Sequence, residues 1–393
     1  MKNLDDVSPF YVMEVLERSN EIEDEIRRGI KKPYDSVIHL EIGEPDFPSL
    51  PCIKEAAIRA IEEGDEKYTH SLGDPELRNA VVRKFEKKYG VSVNSDCVIA
   101  GSGTSPLLLA VCMLLFKEGD EIIMARPYYA AYPNFIRSLG AVPVFVDTKP
   151  EEGFRLNPED VRRAVTPKTK AILTNSPANP TGAILSPDDL KAVAEISEET
   201  GIPIIADEIY QGIAYGDEKE HTILEFTKNA FVLNGFSKYY CMTGWRLGYM
   251  VVPESYVRPI QKLMQNYFIS VNAFVQKAGI AALESPDEEY RSMIETYNER
   301  RICLVSRLRK AGFVVPVDPK GAFYVLADAR NYTDDSVAFA SKILEETGVA
   351  CTPGLDFGAE GYIRFSYANS RENIEKAMDR LEKWLKDQPR KDA

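Results

Sequence analysis

Between about residues 95 and 253 the chain alternates short, almost continuously apolar runs with stretches of helical period. The runs at 97–100, 121–124, 142–146, 171–174, 203–206, 231–233 and 249–252 read as strands. Pro187–Thr200 reads as a helix, with Ser186 as N-cap, Pro187 at the first helical position and Gly201 as the stop. Strands that are apolar along their whole length, with helices between them, argue for an α/β fold built on a mainly parallel sheet covered on both faces. In such sheets ligands sit outside the carboxyl ends of the strands.

The pattern changes after residue 285. A long helical stretch rich in Glu and Arg begins near Pro286, runs towards Ala311 and reads as an exposed link between two bodies. Beyond it, 322–326 and 362–366 read as strands and 372–386 as an amphipathic helix, which together suggest a smaller α+β domain. The first 45 residues hold a helix at 11–28 and a strand at 37–40 and are expected to pack with this tail. The expected division is an N-terminal arm at 1–45, a large domain at 46–285 and a small C-terminal domain at 286–393. Residues 388–393 are expected to fray. No internal repeat interrupts this plan.

A chain of 393 residues can bury a large core and is expected to form more than one domain. Its formal net charge of −13 argues against nucleic acid or an anionic membrane as a main partner. The cysteines at 52, 97, 112, 241, 303 and 351 form no CxxC pair and read as reduced thiols. His39, His70 and His221 are too scattered for a metal site, so no metal is expected. The opening Met-Lys-Asn-Leu-Asp-Asp has no apolar core of a signal peptide, and no run of 18 apolar residues occurs; the cytoplasm is the expected location.

The chemistry concentrates at strand ends. Lys238 lies just past the 231–233 run, where desolvation makes an amine available for imine formation. Arg246 follows eight residues later and can hold a phosphate by its planar fork of donors. A lysine imine beside a phosphate clamp is what a pyridoxal phosphate site requires. Three other segments suit the same cofactor. Gly101 to Pro106 joins a strand to a helix, so the amides of Thr104 and Ser105 would cradle a phosphate, although a plain strand-to-helix turn reads the same way. Asn179 stands in a turn after the 171–174 run. Asp207 ends the 203–206 run, where a buried carboxylate needs a cation such as a protonated pyridine nitrogen; a helix cap or a salt bridge is the plainer alternative.

Taken together, these segments resemble the class I/II aminotransferases, pyridoxal phosphate enzymes of fold-type I. The resemblance runs from about residue 30 to 385. It is carried by Ile42-Gly43-Glu44-Pro45-Asp46, by Tyr68 to Gly73 followed by Glu76-Leu77-Arg78, and by Asn179-Pro180-Thr181-Gly182. Asp207 to Tyr210, Ser237-Lys238, Gly244-Trp245-Arg246 and Ile363-Arg364-Phe365 complete it. Cys241 departs from the pattern, which usually has a smaller residue there.

The resemblance implies a large domain with a mainly parallel seven-stranded sheet that binds pyridoxal 5'-phosphate, and a smaller α+β domain. It implies that Lys238 carries the cofactor as an imine and that Asp207 pairs with the ring nitrogen. Tyr210 and Asn179 would bond the ring's phenolic oxygen, and Tyr129 would stack on the ring. Thr104, Ser105, Ser237 and Arg246 would bind the phosphate. Tyr68 would reach the phosphate of a neighbouring subunit, which implies a homodimer with shared sites. Arg364 would grip the substrate α-carboxylate, helped by Gly43 and Asn179. The partners implied are an L-amino acid and a 2-oxo acid, exchanging an amino group in a two-step ping-pong reaction.

A β-lyase or decarboxylase on the same fold shares these cofactor residues; Arg364 disfavours a substrate without a carboxylate. A non-catalytic ligand-binding module, as in regulators fused to a DNA-binding domain, is opposed by the net charge. A nicotinamide dehydrogenase is opposed by Pro106, where a dinucleotide loop wants glycine or alanine. The tyrosines at 11, 128, 239 and 240 would suit an apolar or aromatic substrate side chain. An acidic side chain would need a cation, and between 261 and 277 only Lys262 and Lys277 offer one.

Overall fold

Successive side chains of a strand point to opposite faces of its sheet, so a strand that is apolar throughout must be covered on both sides. The computed structural model describes residues 7–391. Its strands are β1 (Ile38–His39), β2 (Val98–Gly101), β3 (Glu121–Arg126), β4 (Val142–Asp147), β5 (Thr169–Asn175), β6 (Ile204–Asp207), β7 (Ala230–Gly235), β8 (Gly248–Val251), β9 (Tyr324–Asp328), β10 (Val349–Ala350), β11 (Thr352–Pro353) and β12 (Tyr362–Ser366). Among the described residues, β2 to β8 form a seven-stranded sheet in the order β2-β8-β7-β6-β5-β3-β4. Only β8 runs antiparallel to its neighbours; the other pairs are parallel.

On one face Ile99, Ile122, Phe231 and Met250 pack against Leu107, Leu108 and Val111 of the helix Thr104–Leu115. On the other, Ile172, Ile204 and Val232 meet Leu190 and Val193 of the helix Pro187–Thr200. Full burial of each such side chain contributes about 1.5–3 kcal/mol, which is why the register cannot slip. The helix Pro187–Thr200 has the boundaries its sequence announces. Ser186 and Asp189 close a reciprocal capping box, and Gly201 ends the helix at φ +72°.

Most strands run one or two residues further than their apolar runs. Thus β5 reaches Asn175, β6 reaches Asp207 and β7 reaches Gly235. The ladder continues because backbone pairing is indifferent to side-chain polarity, and these polar ends are the residues that face the site.

Three strands, β11-β12-β9, form an antiparallel sheet, and β1 pairs in parallel with β10. The helix Glu288–Lys310 starts two residues after Pro286 and is not exposed all round. Tyr290, Met293, Tyr297, Leu304 and Leu308 are buried along one stripe, at helical spacing beneath the charged residues. Within 388–391 the expected fraying is also corrected. The Lys391 N–H donates to Asn331 O at 2.8 Å and the Arg390 guanidinium lies 5.6 Å from the Tyr332 ring. Residues 392–393, like the opening 1–6, lie outside the described residues. No helix among the described residues is long and apolar enough to cross a membrane, and the six cysteines are unpaired.

Candidate active site

The carboxyl ends of β5, β6 and β7 open into one cavity of about 320 Å³. Asp207 is the last residue of β6 and only 8% exposed. Its Oδ2 accepts from the Tyr132 hydroxyl at 2.7 Å and its Oδ1 from the Ile209 N–H at 3.1 Å. Burial pushes its pKa up against these two donors. No cation among the described residues lies within ion-pair distance of it, so a salt bridge does not account for it, and the Ile209 N–H caps only one of its oxygens. A desolvated carboxylate with two neutral donors has room in its bonding for one positive group, and a protonated ring nitrogen is such a group.

Lys238 sits three residues beyond β7. Its Nζ donates to Gly43 O at 2.5 Å. Burial lowers its pKa to about 8, and the positive charges of Arg364 and Arg246 push the same way. Gly43 has no space for a side chain, because a Cβ there would overlap the Tyr324 hydroxyl. That hydroxyl meets the Tyr210 hydroxyl at 2.8 Å, and burial keeps Tyr210 protonated well above the ordinary phenol range.

Arg364 is the middle residue of β12 and 2% exposed, while Ile363 and Phe365 point into the core. The expected alternation therefore holds, and the reading of a strand arginine facing water does not. Nη1 donates to Asn179 Oδ1 at 3.0 Å, and Nη2 donates to Glu41 O and to Thr352 Oγ1. The guanidinium lies 4.4 Å from the Tyr324 ring and 4.7 Å from the Phe357 ring. Its Nε is buried without a partner. Arg364 lines the cavity, and its planar guanidinium suits an incoming carboxylate.

The far end of the cavity is an anion cradle. Gly103 caps the helix Thr104–Leu115 at φ +96° without any side-chain cap, so the first amides, including those of Thr104 and Ser105, stay open. A Cβ on Gly103 would stand 2.5 Å from an Arg246 guanidinium nitrogen, so glycine lets the cation close over the helix end. Arg246 adopts φ +55°, unusual for a non-glycine residue, and donates to Thr243 O at 2.9 Å.

Of the residues singled out from the sequence, Gly43, Thr104, Ser105, Tyr129, Asn179 and Asp207 line this cavity. So do Tyr210, Ser237, Lys238, Arg246 and Arg364. Tyr68 does not; it is 82% exposed on the surface. The tyrosines at 11, 128, 239 and 240 are also outside the lining. The sequence reading missed Tyr132, Asn175, Tyr324, Phe10 and Val12, all of which line it. Asn175 was within reach of the strand-end rule, since it pairs in register with Asp207 and donates to its carbonyl at 2.9 Å. Tyr132 carries no such signal; only folding brings it to a residue 75 positions away. No cluster of metal-ligating side chains occurs among the described residues.

The donor set therefore fits pyridoxal phosphate: an unpaired buried acid, a desolvated amine and a helix-end cradle closed by an arginine. Comparison with known proteins gives the family. The family profile for aminotransferase class I and II matches residues 35–381. A probable aspartate/prephenate aminotransferase of Aquifex aeolicus is 40% identical over 89% of this chain and 91% of its own. A (5-formylfuran-3-yl)methyl phosphate transaminase of Methanocaldococcus jannaschii is 38% identical over 98% of this chain and 99% of its own. Among solved structures, an aspartate aminotransferase mutant of Thermus thermophilus superposes with a TM-score of 0.90 at 36% identity, covering 97% of this chain and 98% of that one.

Proposed function

The chain belongs to the class I and II aminotransferase family, and from that premise we propose how its own residues exchange an amino group between an L-amino acid and a 2-oxo acid. The observation that carries the reading is the convergence of the Lys238 amine, the Asp207 carboxylate and the Arg364 guanidinium on one cavity. Pyridoxal phosphate, the family's cofactor, supplies when bound an aldehyde that takes up the amino group and a cationic ring that withdraws electrons from the α-carbon.

Lys238 holds the cofactor. With a pKa near 8, a useful fraction of its free amine is neutral at neutral pH, and it takes the proton from the substrate α-carbon. Asp207, oriented by Tyr132 and Ile209, holds the ring nitrogen's positive charge; at ~3 Å and an effective dielectric near 20 the gross attraction is about 5 kcal/mol. Tyr210 and Asn179 orient the phenolic oxygen, and Tyr129 covers the ring face. Thr104, Ser105, Ser237 and Arg246 hold the phosphate. Arg364, with Gly43 and Asn179, binds the α-carboxylate. Tyr68 completes the phosphate site of a second copy in a homodimer. Residues 46–285 and 286–393 work as two bodies, with 1–45 moving with the second, and the enzyme works in the cytoplasm.

The cations of the lining are Lys238, Arg246 and Arg364, and each already has a task; Glu44 adds a negative charge. This chain's own lining therefore favours an uncharged substrate side chain, and an acidic donor requires a cation from the second copy. A screen of amino donors against 2-oxoglutarate and pyruvate tests the reading. It expects the donor and the acceptor to be consumed in equal amounts. Release of pyruvate and ammonia without any acceptor would replace it with β-elimination.

A further inference from the structure

The segment after β1 meets Arg364 through a main-chain carbonyl. The Leu40 N–H donates to Ala350 O at 3.0 Å and Leu40 O accepts from the Ser366 N–H at 2.6 Å, which seats Glu41 beside the middle of β12. The Glu41 carbonyl then accepts from both Arg364 Nη2 and the Thr352 hydroxyl. The Glu41 side chain is fully buried. Its Oε1 meets His39 Nδ1 at 2.7 Å, and its Oε2 has no partner. The other ring nitrogen of His39 lies 3.5 Å from Glu23 of the helix Tyr11–Arg27. Glu41 raises the His39 pKa, so the ring is held towards its charged form.

A buried carboxylate with one unsatisfied oxygen is a poor way to stabilise a fold, since an apolar side chain of similar size serves as well or better. Its geometry suggests a different use. Side chain and carbonyl leave the same residue, one tied to His39 and Glu23, the other to Arg364. The His39 tie holds the Cα of Glu41, which leaves the carbonyl on that Cα less room to swing away from Arg364. We propose that Glu41 and His39 form a positioning pair that fixes the Glu41 carbonyl, and through it the pose of Arg364, and so sets the affinity for the substrate carboxylate.

This inference rests on Arg364 as the group that receives the carboxylate. That interaction is made equally in ground and transition states, so weakening it raises KM and spares kcat. The test uses the cofactor-loaded enzyme, 2-oxoglutarate as acceptor and the fastest donor of the screen above. Glu41→Ala is expected to raise the donor KM about tenfold, with kcat changed less than about threefold. Its visible cofactor absorption should match the parent, and Glu41→Gln, of the same size, should keep the parent melting temperature. Glu41→Gln, which keeps a hydrogen bond to His39, should recover part of the loss, and if Glu41→Ala does not fold, Glu41→Gln and His39→Gln should each raise KM about threefold. An unchanged KM, or a kcat loss as large as the KM rise, overturns the positioning role. Arg364→Lys separates the two readings. If it raises KM and Glu41→Ala does not, only the positioning pair falls; if it leaves KM unchanged, the assignment of Arg364 falls with it.

Discussion

At Lys238, burial and two guanidinium groups act in the same direction on one amine. A pKa moved from 10.5 to about 8 corresponds to about 3 kcal/mol between the charged and neutral forms. The folded pKa is depressed, so between pH 8 and 10.5 the unfolded chain binds the extra proton and stability rises with pH. Cofactor-free Lys238→Met lacks this penalty. Urea denaturation should find it more stable than the parent at pH 7.5, with the gap closing as pH approaches 10.5; a constant gap would mean that the amine is not desolvated. At Asp207 the decisive neighbour is Tyr132, one of its two donors. Tyr132→Phe should lower kcat about tenfold, near the ~1.5 kcal/mol of one hydrogen bond to a charged group. Asp207→Asn, which removes the charge itself, should lower it by about a hundredfold or more. Single-turnover rates measured on both variants check the ranking. Asp207 was legible as a polar residue ending an apolar run. Tyr132 was not, because a helical tyrosine in a sequence is usually core, and its hydroxyl finds Asp207 only in three dimensions.

The helix Tyr11–Arg27 has Phe10 at its N-cap, which offers no side-chain acceptor. Asp356, from a distant turn, accepts from the Tyr11 and Val12 N–H groups at 3.3 Å each and so replaces a local cap. Ser8 and Asn134 exchange two further hydrogen bonds, and Phe10 meets the Tyr129 ring edge-on at 6.2 Å. These ties hold Phe10 and Val12 against the cavity. Asp356→Ala should speed amide exchange at Tyr11 and Val12 by about tenfold, the loss expected of a missing cap, without altering exchange in β5 to β7. Exchange followed by mass spectrometry reads this directly, and unchanged rates would show that the other ties suffice. Element boundaries were readable where local chemistry fixes them, as at Ser186 and Gly201. The same reading gave no hint of Asp356, because a cap supplied from more than 340 residues away leaves no mark in the helix's own sequence.

Tyr68 stands outside the cavity, and the apolar Ile269 is 52% exposed close by, where the Thr69 hydroxyl donates to Val271 O. Exposed apolar side chains grouped in this way suit a surface that a second copy covers. If Tyr68 serves the neighbouring site, mixing Lys238→Ala with Tyr68→Ala subunits should rebuild one intact site in each hybrid dimer, about a quarter of the parent activity. Recovery of none would place Tyr68 in its own subunit's site. The amino-acid order alone settled the α/β class, the strand ends that carry Asn179, Asp207 and Lys238, and the family. It could do so because apolar period and turn chemistry act over a few residues. The tertiary structure alone decided that Tyr132 steadies Asp207, that Glu41 and Thr352 hold Arg364, and that Phe10 and Val12 wall the cavity. Those contacts join residues tens to hundreds of positions apart, and only the packing of helices on both faces of the sheet fixes which of them meet.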